Sequence, residues 1–405
     1  MNRPLMPVAE ALERVLAQAH PLPGIAVPLS EALGCVLTED LTALRTQPAA
    51  AVSAMDGYAV RAADVARAPV TLKLIGEVAA GHPFDSEVIA GQAARIFTGG
   101  LMPAGTDTVV VQEIATRDGD RVTFRKPAAK GHNVRLEGID FRKDQVLLRK
   151  GRRLNDRDLM LAAAMNHARL SVHRRPRVAV LGTGDELVAP GSNPGPGEVV
   201  YSNGFALIAL ARAENAEVMD LGVAHDRLEE IVAAIRRART WDADILLTSG
   251  GASVGEHDLV QRALAVEGMK LSFWRVAMRP GRPMLHGRLG DMQVLGVPGN
   301  PVSSYVSAFL FLVPLIRRLA GRTDVERVPQ PARLGRDLSA NDERADYMRA
   351  TLECRSDGTK IATPFRAQDS SLLASLAHAQ CLVVREPFAP AAEQGSPCVI
   401  LNLQF

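Results

Sequence analysis

Aromatic residues are scarce in this chain: Phe, Trp and Tyr make up 4% of its 405 residues. That scarcity argues against a stacking platform for single-stranded nucleic acid. An excess of one charge is also missing, since 47 basic residues stand against 45 acidic ones. A phosphate backbone is therefore not a default partner, and no nucleic-acid role is expected. Cysteine is limited to Cys35, Cys354, Cys381 and Cys398, scattered without a C-x-x-C pair. They read as reduced, mostly packed thiols, and a zinc site is not expected. Met1 to His20 lacks the continuous apolar core of a signal peptide; Val8, Leu12, Val15 and Leu16 instead mark one face of a helix. The longest apolar stretch, Ser307 to Ile316, contains Pro314 and is too short to span a bilayer. Together these absences predict a soluble, cytoplasmic protein without a membrane partner.

What is present points to several globular domains, since 47% of the residues are hydrophobic and the chain is too long for one core. After the N-terminal helix pattern, which ends near His20-Pro21, Leu29 to Leu44 reads as a second helical or mixed segment. Short strand-like pieces follow between about Arg45 and Ile139, among them Val70 to Gly76, Ala93 to Phe97, Thr108 to Gln112 and Arg121 to Arg125. A helical pattern returns between Gly151 and His167. From Arg177 to Ala320, strands at Val178–Leu181, Val218–Val223 and Ile245–Leu247 alternate with helices at Asn203–Ala213, about Arg227–Arg239 and Glu256–Val266. That alternation predicts a three-layer α/β domain with a mostly parallel sheet. Gly321 to Pro331 reads as a linker, and the remainder as a small β domain with strands at Ala379–Arg385 and Cys398–Leu403.

In an open α/β sheet, ligands bind beyond the carboxyl ends of the strands. Four polar clusters fall there: Thr183-Gly-Asp-Glu186, His225-Asp226, Ser249-Gly-Gly to Asp258, and Pro298-Gly-Asn-Pro-Val-Ser303. Glycines at Gly250 and Gly251 would let backbone N–H groups approach an anion, and a following helix start adds a favourable dipole. Each cluster also has a plainer reading. Asp226 begins Asp-Arg-Leu-Glu, a capping box with Glu229, and by local pattern the cap is preferred. Asp258 in a first helical turn suits the helix dipole, Asp185 and Glu186 suit a solvated loop, and Gly250-Gly251 suits an ordinary turn. Convergence of all four on one rim favours a site. Arg275, Arg279 and Arg282 lie near a strand end, where guanidinium forks bind phosphate or another tetrahedral oxyanion; the plainer reading is a charged strand edge. Acids and arginines together suit a divalent ion with a polyanion. Asp56-Gly57 in Ser53 to Val60 reads by default as a hairpin turn.

These segments together resemble the molybdopterin molybdenumtransferase family of the MoeA type, which is also related to the C-terminal part of gephyrin. The resemblance rests on Ser53 to Val60, Phe97-Thr98-Gly99, Val109 to Glu113, Gly138-Ile-Asp140, Thr183 to Leu187, Ser249 to Gly255, Arg279-Pro-Gly-Arg-Pro283 and Pro298 to Ser303. It covers about residues 5 to 320 and is looser beyond. The resemblance implies an elongated homodimer of four-domain chains: residues 1–45 with 140–176, 46–139, 177–323 and 324–405. It further implies insertion of molybdate into adenylylated molybdopterin, with Mg²⁺ and release of AMP. Carried over, Glu186, Asp226 and Asp258 would be the catalytic acids that hold the metal beside the pyrophosphate. Ser249, Gly250 and Gly251 would cradle phosphate, and Pro298 and Pro301 would shape the adjacent wall. Asp56, Thr98 and Asp140 would enter the same cleft from the partner chain. Arg275 and Arg279 stand where the family commonly has lysines for molybdate or phosphate. A separate molybdopterin adenylyltransferase and molybdoenzyme acceptors are the further partners implied. Two rival functions remain at this stage: adenylylation of molybdopterin alone, or a scaffold or cofactor carrier.

Overall fold

The computed structural model describes residues 5–251 and 259–403. Its central unit is a six-stranded sheet in the order Glu217–Ala224, Arg177–Thr183, Ile245–Ser249, Met292–Val297, Leu285–Leu289, Lys270–Trp274. The first four strands are parallel, and Leu285–Leu289 runs antiparallel to both its neighbours. Side chains alternate between two cores, as a strand period of two requires. Val178, Val180, Ile245 and Leu247 pack with Leu207, Leu210, Phe309 and Leu315, whereas Ala179, Leu181 and Leu246 pack with Ile231, Ile235, Ala263 and Leu264. Burial on both faces explains why these strands read as unbroken apolar runs.

The helices on one face are Asn203–Ala213 and the long element Pro301–Leu319; on the other they are Leu228–Thr240 and Leu259–Val266. Pro301–Leu319 is long and apolar enough to cross a bilayer, but 83% of it is buried inside the protein, which makes it a core helix. Pro314 does not end it, because the backbone widens into a π-turn at Ala308–Leu312 just before the proline. The N-terminal helix Val8–Leu16 buries Ala11 and Val15 in this same core.

Residues 32–43 and 141–172 share a separate core that includes Leu37, Phe141, Leu154 and Val172. The segment expected to be helical from Leu29 is instead a 3-10 turn, Leu29–Glu31, followed by isolated bridges and the short strand Leu41–Thr42. Gly34 in the left-handed region (φ +75°) blocks a helix there. Between these halves lies a six-stranded sheet with apolar clusters around Tyr58 and Phe124 and around Val78 and Ile96.

The final unit closes on itself. Strands Gln330–Leu334, Ala345–Cys354, Lys360–Pro364, Cys381–Arg385 and Pro397–Asn402 form a ring, each paired to two others. The tract read as a linker is held firmly. Glu214, 3% exposed, receives hydrogen bonds from Arg317 Nε (2.9 Å) and Nη2 (2.7 Å), and also from Arg322. Arg327 lies 3.6 Å from the same carboxylate.

Candidate active site

The sheet reverses its strand order between Arg177–Thr183 and Ile245–Ser249, and an open cleft of about 1220 Å³ lies beyond their carboxyl ends. This is where a doubly wound sheet leaves room for a ligand. Its wall contains Glu186, Asp226, Ser249, Gly250, Gly251, Pro298 and Pro301, so seven of the expected site residues meet at one place. Asp258 lies outside the described residues.

Glycine is required in two of these loops. Gly250 adopts φ +98°, and a Cβ there would lie 2.6 Å from the Thr183 carbonyl oxygen. At Gly184, φ is +143°, and a Cβ would meet the Glu186 carboxylate at 2.4 Å. Two helices begin at the cleft, at Asn203 and at Pro301, and both starting residues line it. Their dipoles favour an anion, although at the second of them Pro301 has no N–H and the Val302 N–H already donates to the Ser370 carbonyl. Pro301 occupies the first turn, where its missing N–H costs nothing.

Asn203 fastens the floor. Its Nδ2 donates to Ser249 Oγ at 2.9 Å and to the Gly299 carbonyl at 2.7 Å, which links three loops. Tyr201 lies against Gly182 and Gly204, where a Cβ would meet its ring at 2.6 Å and its hydroxyl oxygen at 2.1 Å. Burial raises its phenol to about 12, with the charge of Asp220 acting in the same direction, so Tyr201 stays neutral. The last domain supplies Ser371 and Leu373 to the wall. Their segment hangs on Arg349, 1% exposed, whose guanidinium donates to Gln368 Oε1 (3.3 Å), Leu372 O (3.1 Å) and Asp369 O (3.0 Å). Sequence reasoning missed Asn203, Tyr201 and Arg349. Asn203 had one signal, an amide side chain at a helix start; nothing local marked Arg349.

The acids differ in their surroundings. Glu186 and Asp226 are exposed, and neither carboxylate has a hydrogen-bond or ion-pair partner among the described residues. Asp226 is not a helix cap, because the helix starts at Leu228 after Arg227 and has no side-chain cap. The backbone N–H of Asp226 donates to Asp185 Oδ1 (2.9 Å), which also sits 3.3 Å from His225 Nδ1. Glu229 therefore plays no capping part, and Glu230 accepts from the His225 N–H instead.

Arg275 and Arg279 do not line the cleft. Arg279 donates to Asp346 (2.6 Å), Asn341 (3.1 Å) and Asp342 (3.3 Å) of the last domain. Arg275 has φ +81°, and its guanidinium lies 5.0 Å over the Trp274 ring. Neither arginine fork therefore reaches the cleft of its own chain, and two carboxylates already occupy Arg279. Arg282 is exposed, has no ion-pair partner among the described residues, and precedes Pro283 in the wall.

Asp56, Thr98 and Asp140 are not in this chain's cleft. Asp56 Oδ1 accepts from both the N–H and the hydroxyl of Thr98, each at 2.7 Å, and these bonds hold its carboxyl below the usual range. Asp140 is tied through its N–H to the Gln47 carbonyl. Asp56-Gly57 is not a hairpin turn, since Val52–Ser53 pairs with Val134–Arg135 whereas Gly57–Val60 pairs with Gln92–Ile96 and Thr108–Val111. Gly57 is needed because a Cβ would lie 2.1 Å from the Val110 carbonyl oxygen.

Comparison with known proteins agrees with this architecture. Residues 6–166 match the MoeA N-terminal region (domain I and II), 179–318 a probable molybdopterin binding domain, and 331–403 the MoeA C-terminal region (domain IV). The molybdopterin molybdenumtransferase of Haemophilus influenzae is 34% identical over 88% of this chain and 88% of its own length. That of a Nostoc species is 35% identical over 87% of this chain and 82% of its own. The crystal structure of a molybdopterin biosynthesis MoeA protein from Pyrococcus horikosii superposes with a TM-score of 0.82 at 29% identity, covering 99% of this chain and all of that one. With three domain matches in order and such likeness over nearly its whole length, the chain is an enzyme that belongs to the molybdopterin molybdenumtransferase family.

Proposed function

We propose that this enzyme inserts molybdate into adenylylated molybdopterin and releases AMP, in a Mg²⁺-dependent step of molybdenum cofactor synthesis. The observation that carries this reading is the cleft itself. A glycine-rich loop and two helix starts face two carboxylates, unpartnered among the described residues, across a space of about 1220 Å³. Such a site suits a pyrophosphate-linked ligand better than a simple alcohol or acid, because both signs of charge need a counterpart.

The carboxylates of Glu186 and Asp226 are hard oxygen donors that fit Mg²⁺, which commonly takes one or two carboxylates with substrate phosphates. Among the described residues no cluster of three metal-ligating side chains occurs, so phosphate oxygens and Asp258 would complete the shell. Bound there, the ion would neutralise charge on the phosphoanhydride. The chain's own groups do the rest. Gly250 and Gly251, which lack side chains, let the phosphates approach the loop backbone, the dipole of the helix that begins at Pro301 favours their charge, and Pro298 and Pro301 wall the cleft. Arg282 offsets the two negative charges of the incoming molybdate, a task that Arg279, held by Asp346, is not free to perform.

A homodimer completes the site in this reading. Met55, Leu101, Leu136 and Ile139 are 40–64% exposed around Asp56, Thr98 and Asp140, an apolar rim that a second copy would cover. From there those three residues would reach the partner's cleft. Four free thiols suit a cytoplasmic setting, where an adenylyltransferase would supply the substrate and molybdoenzymes would accept the product.

The test is AMP release from adenylylated molybdopterin by purified protein, with and without molybdate and Mg²⁺. Release that requires both is the expected result. Tight binding without release would assign the chain to carriers or scaffolds, and pyrophosphate release from ATP with molybdopterin would make it an adenylyltransferase.

A further inference from the structure

Beside the Asp56–Thr98 pair, the sheet of the second domain carries a cation that takes part in no ion pair among the described residues, Arg95. We propose that Arg95 is a positioning residue for Asp56: its guanidinium clamps the Asp56-Gly57 backbone and so sets where that carboxylate stands. The inference rests on the reading above, in which Asp56 and Thr98 serve the partner's cleft.

Arg95 belongs to the strand Gln92–Ile96 and lies directly opposite Tyr58 of Gly57–Val60, and side chains opposite one another share a sheet face. Phe97, two residues on, returns to that face. The guanidinium carbon consequently sits 5.1 Å from the centre of the Tyr58 ring and 4.8 Å from that of Phe97. Two rings fix the guanidinium, and its rigid fork then aims at particular acceptors. Nη1 donates to the Gly57 carbonyl at 3.1 Å, and Nη2 donates to Gln112 Oε1 at 2.6 Å. Gln112 in turn donates its backbone N–H to the Asp56 carbonyl at 3.2 Å. Both carbonyls of Asp56-Gly57 are thereby tied to one side chain, Gly57 directly and Asp56 through Gln112. Thr98, three residues beyond Arg95, holds the carboxylate itself with its N–H and hydroxyl. The same stretch of chain thus fixes both the backbone and the side chain of Asp56.

The plainer role for Arg95 is a brace between strands, but a brace needs no charge. Gly57–Val60 is already paired on both sides, with Gln92–Ile96 and with Thr108–Val111. Arg95 is partly buried, and keeping a cation there without a carboxylate partner has a desolvation cost that an apolar residue between the two rings would avoid. Its field does reach Asp56: after the two Thr98 bonds, Arg95 also acts to hold that carboxyl below the usual range.

Single-turnover insertion separates positioning from folding, because the amplitude counts competent sites and the rate constant reports their geometry. Full-length Arg95→Gln, Gln112→Ala and Asp56→Asn are compared with wild type on adenylylated molybdopterin, molybdate and Mg²⁺. Arg95→Gln is expected to keep full amplitude and to lower the rate constant by about 10- to 100-fold. Gln112 is exposed, so Gln112→Ala tests the outer arm of the clamp even if Arg95→Gln folds poorly, and a smaller fall in rate is expected. Since Arg95 acts through Asp56, the Arg95→Gln/Asp56→Asn double variant should be no slower than Asp56→Asn alone, whereas independent effects would multiply. Unchanged rate constants in both Arg95→Gln and Gln112→Ala, with or without a loss of amplitude, overturn the proposal, as do effects that multiply. A wild type without turnover, or Asp56→Asn at the wild-type rate, would instead overturn the reading on which the proposal rests.

Discussion

At Gly250 the backbone runs at φ +98°, with the Thr183 carbonyl oxygen 2.6 Å from where a Cβ would sit. Gly250→Ala must therefore shift a loop that the proposed function places against substrate. It is expected to cost about 1–3 kcal/mol of stability and to raise KM for the adenylylated pterin. Denaturant melts and steady-state kinetics check the two parts separately. Asp226 gives the converse case, since its exposed carboxylate holds nothing in place among the described residues. Asp226→Asn should leave the melt within about 0.5 kcal/mol of wild type. Its turnover should nevertheless fall on the order of 100-fold or more, the size of effect seen when preorganised charge stabilisation is removed. Equal activity in a folded variant would withdraw Asp226 from the chemistry. At this scale the sequence was legible where glycine and acid coincide in one short run, as in Thr183 to Glu186. It was not legible at Arg349, which shapes the 368–372 segment through carbonyls about twenty residues away. Nor could it show that Asp346 takes up Arg279, since that pair joins two domains.

Elements were read well where burial imposes a clean period. The helix Asn203–Ala213 and the parallel strands follow directly from apolar spacing. They were misread where long-range pairing decides. Leu29, Leu33, Leu37 and Leu41 are spaced like a helix face, yet Leu37 and Leu41 pair with the returning chain at Val172 and Leu148. The tract from Gly321 looked like a linker because its cations have their partner, Glu214, more than one hundred residues earlier. That element carries a pH prediction. Burial alone would raise the Glu214 carboxyl, but the Arg317 hydrogen bonds and the fields of Arg317, Arg322 and Arg327 outweigh it and lower it below 4.5. A carboxyl lowered in the folded state stabilises fully above its unfolded value and loses that contribution as pH falls through the folded one. Stability should thus decline as pH drops below about 4.5, and Glu214→Gln should flatten that acid limb. The same substitution, which leaves buried arginines uncompensated, should cost about 3–5 kcal/mol at neutral pH. Urea melts across pH measure both effects, and a variant as stable as wild type would show the network to be dispensable.

For the whole molecule, the division of labour between the cleft and the Asp56–Thr98 pair makes a prediction about two chains. If the second domain serves the partner's cleft, Asp56→Asn and Asp226→Asn proteins should each be nearly inactive alone. Dissociated and re-formed together, they should regain about a quarter of the wild-type sites, because half the dimers are mixed and each mixed dimer has one intact site. No recovery in verified mixed dimers would place Asp56 and Asp226 in the same chain's site, or Asp56 outside it. The measurement that bears most directly on the account is a single-turnover count of molybdenum bound to pterin against AMP released, for wild type and for Asp226→Asn. The account predicts one molybdenum per AMP in the wild type, and in the variant substrate that stays bound, with neither product formed. AMP released without molybdenum gained, or normal insertion by the variant, would contradict it.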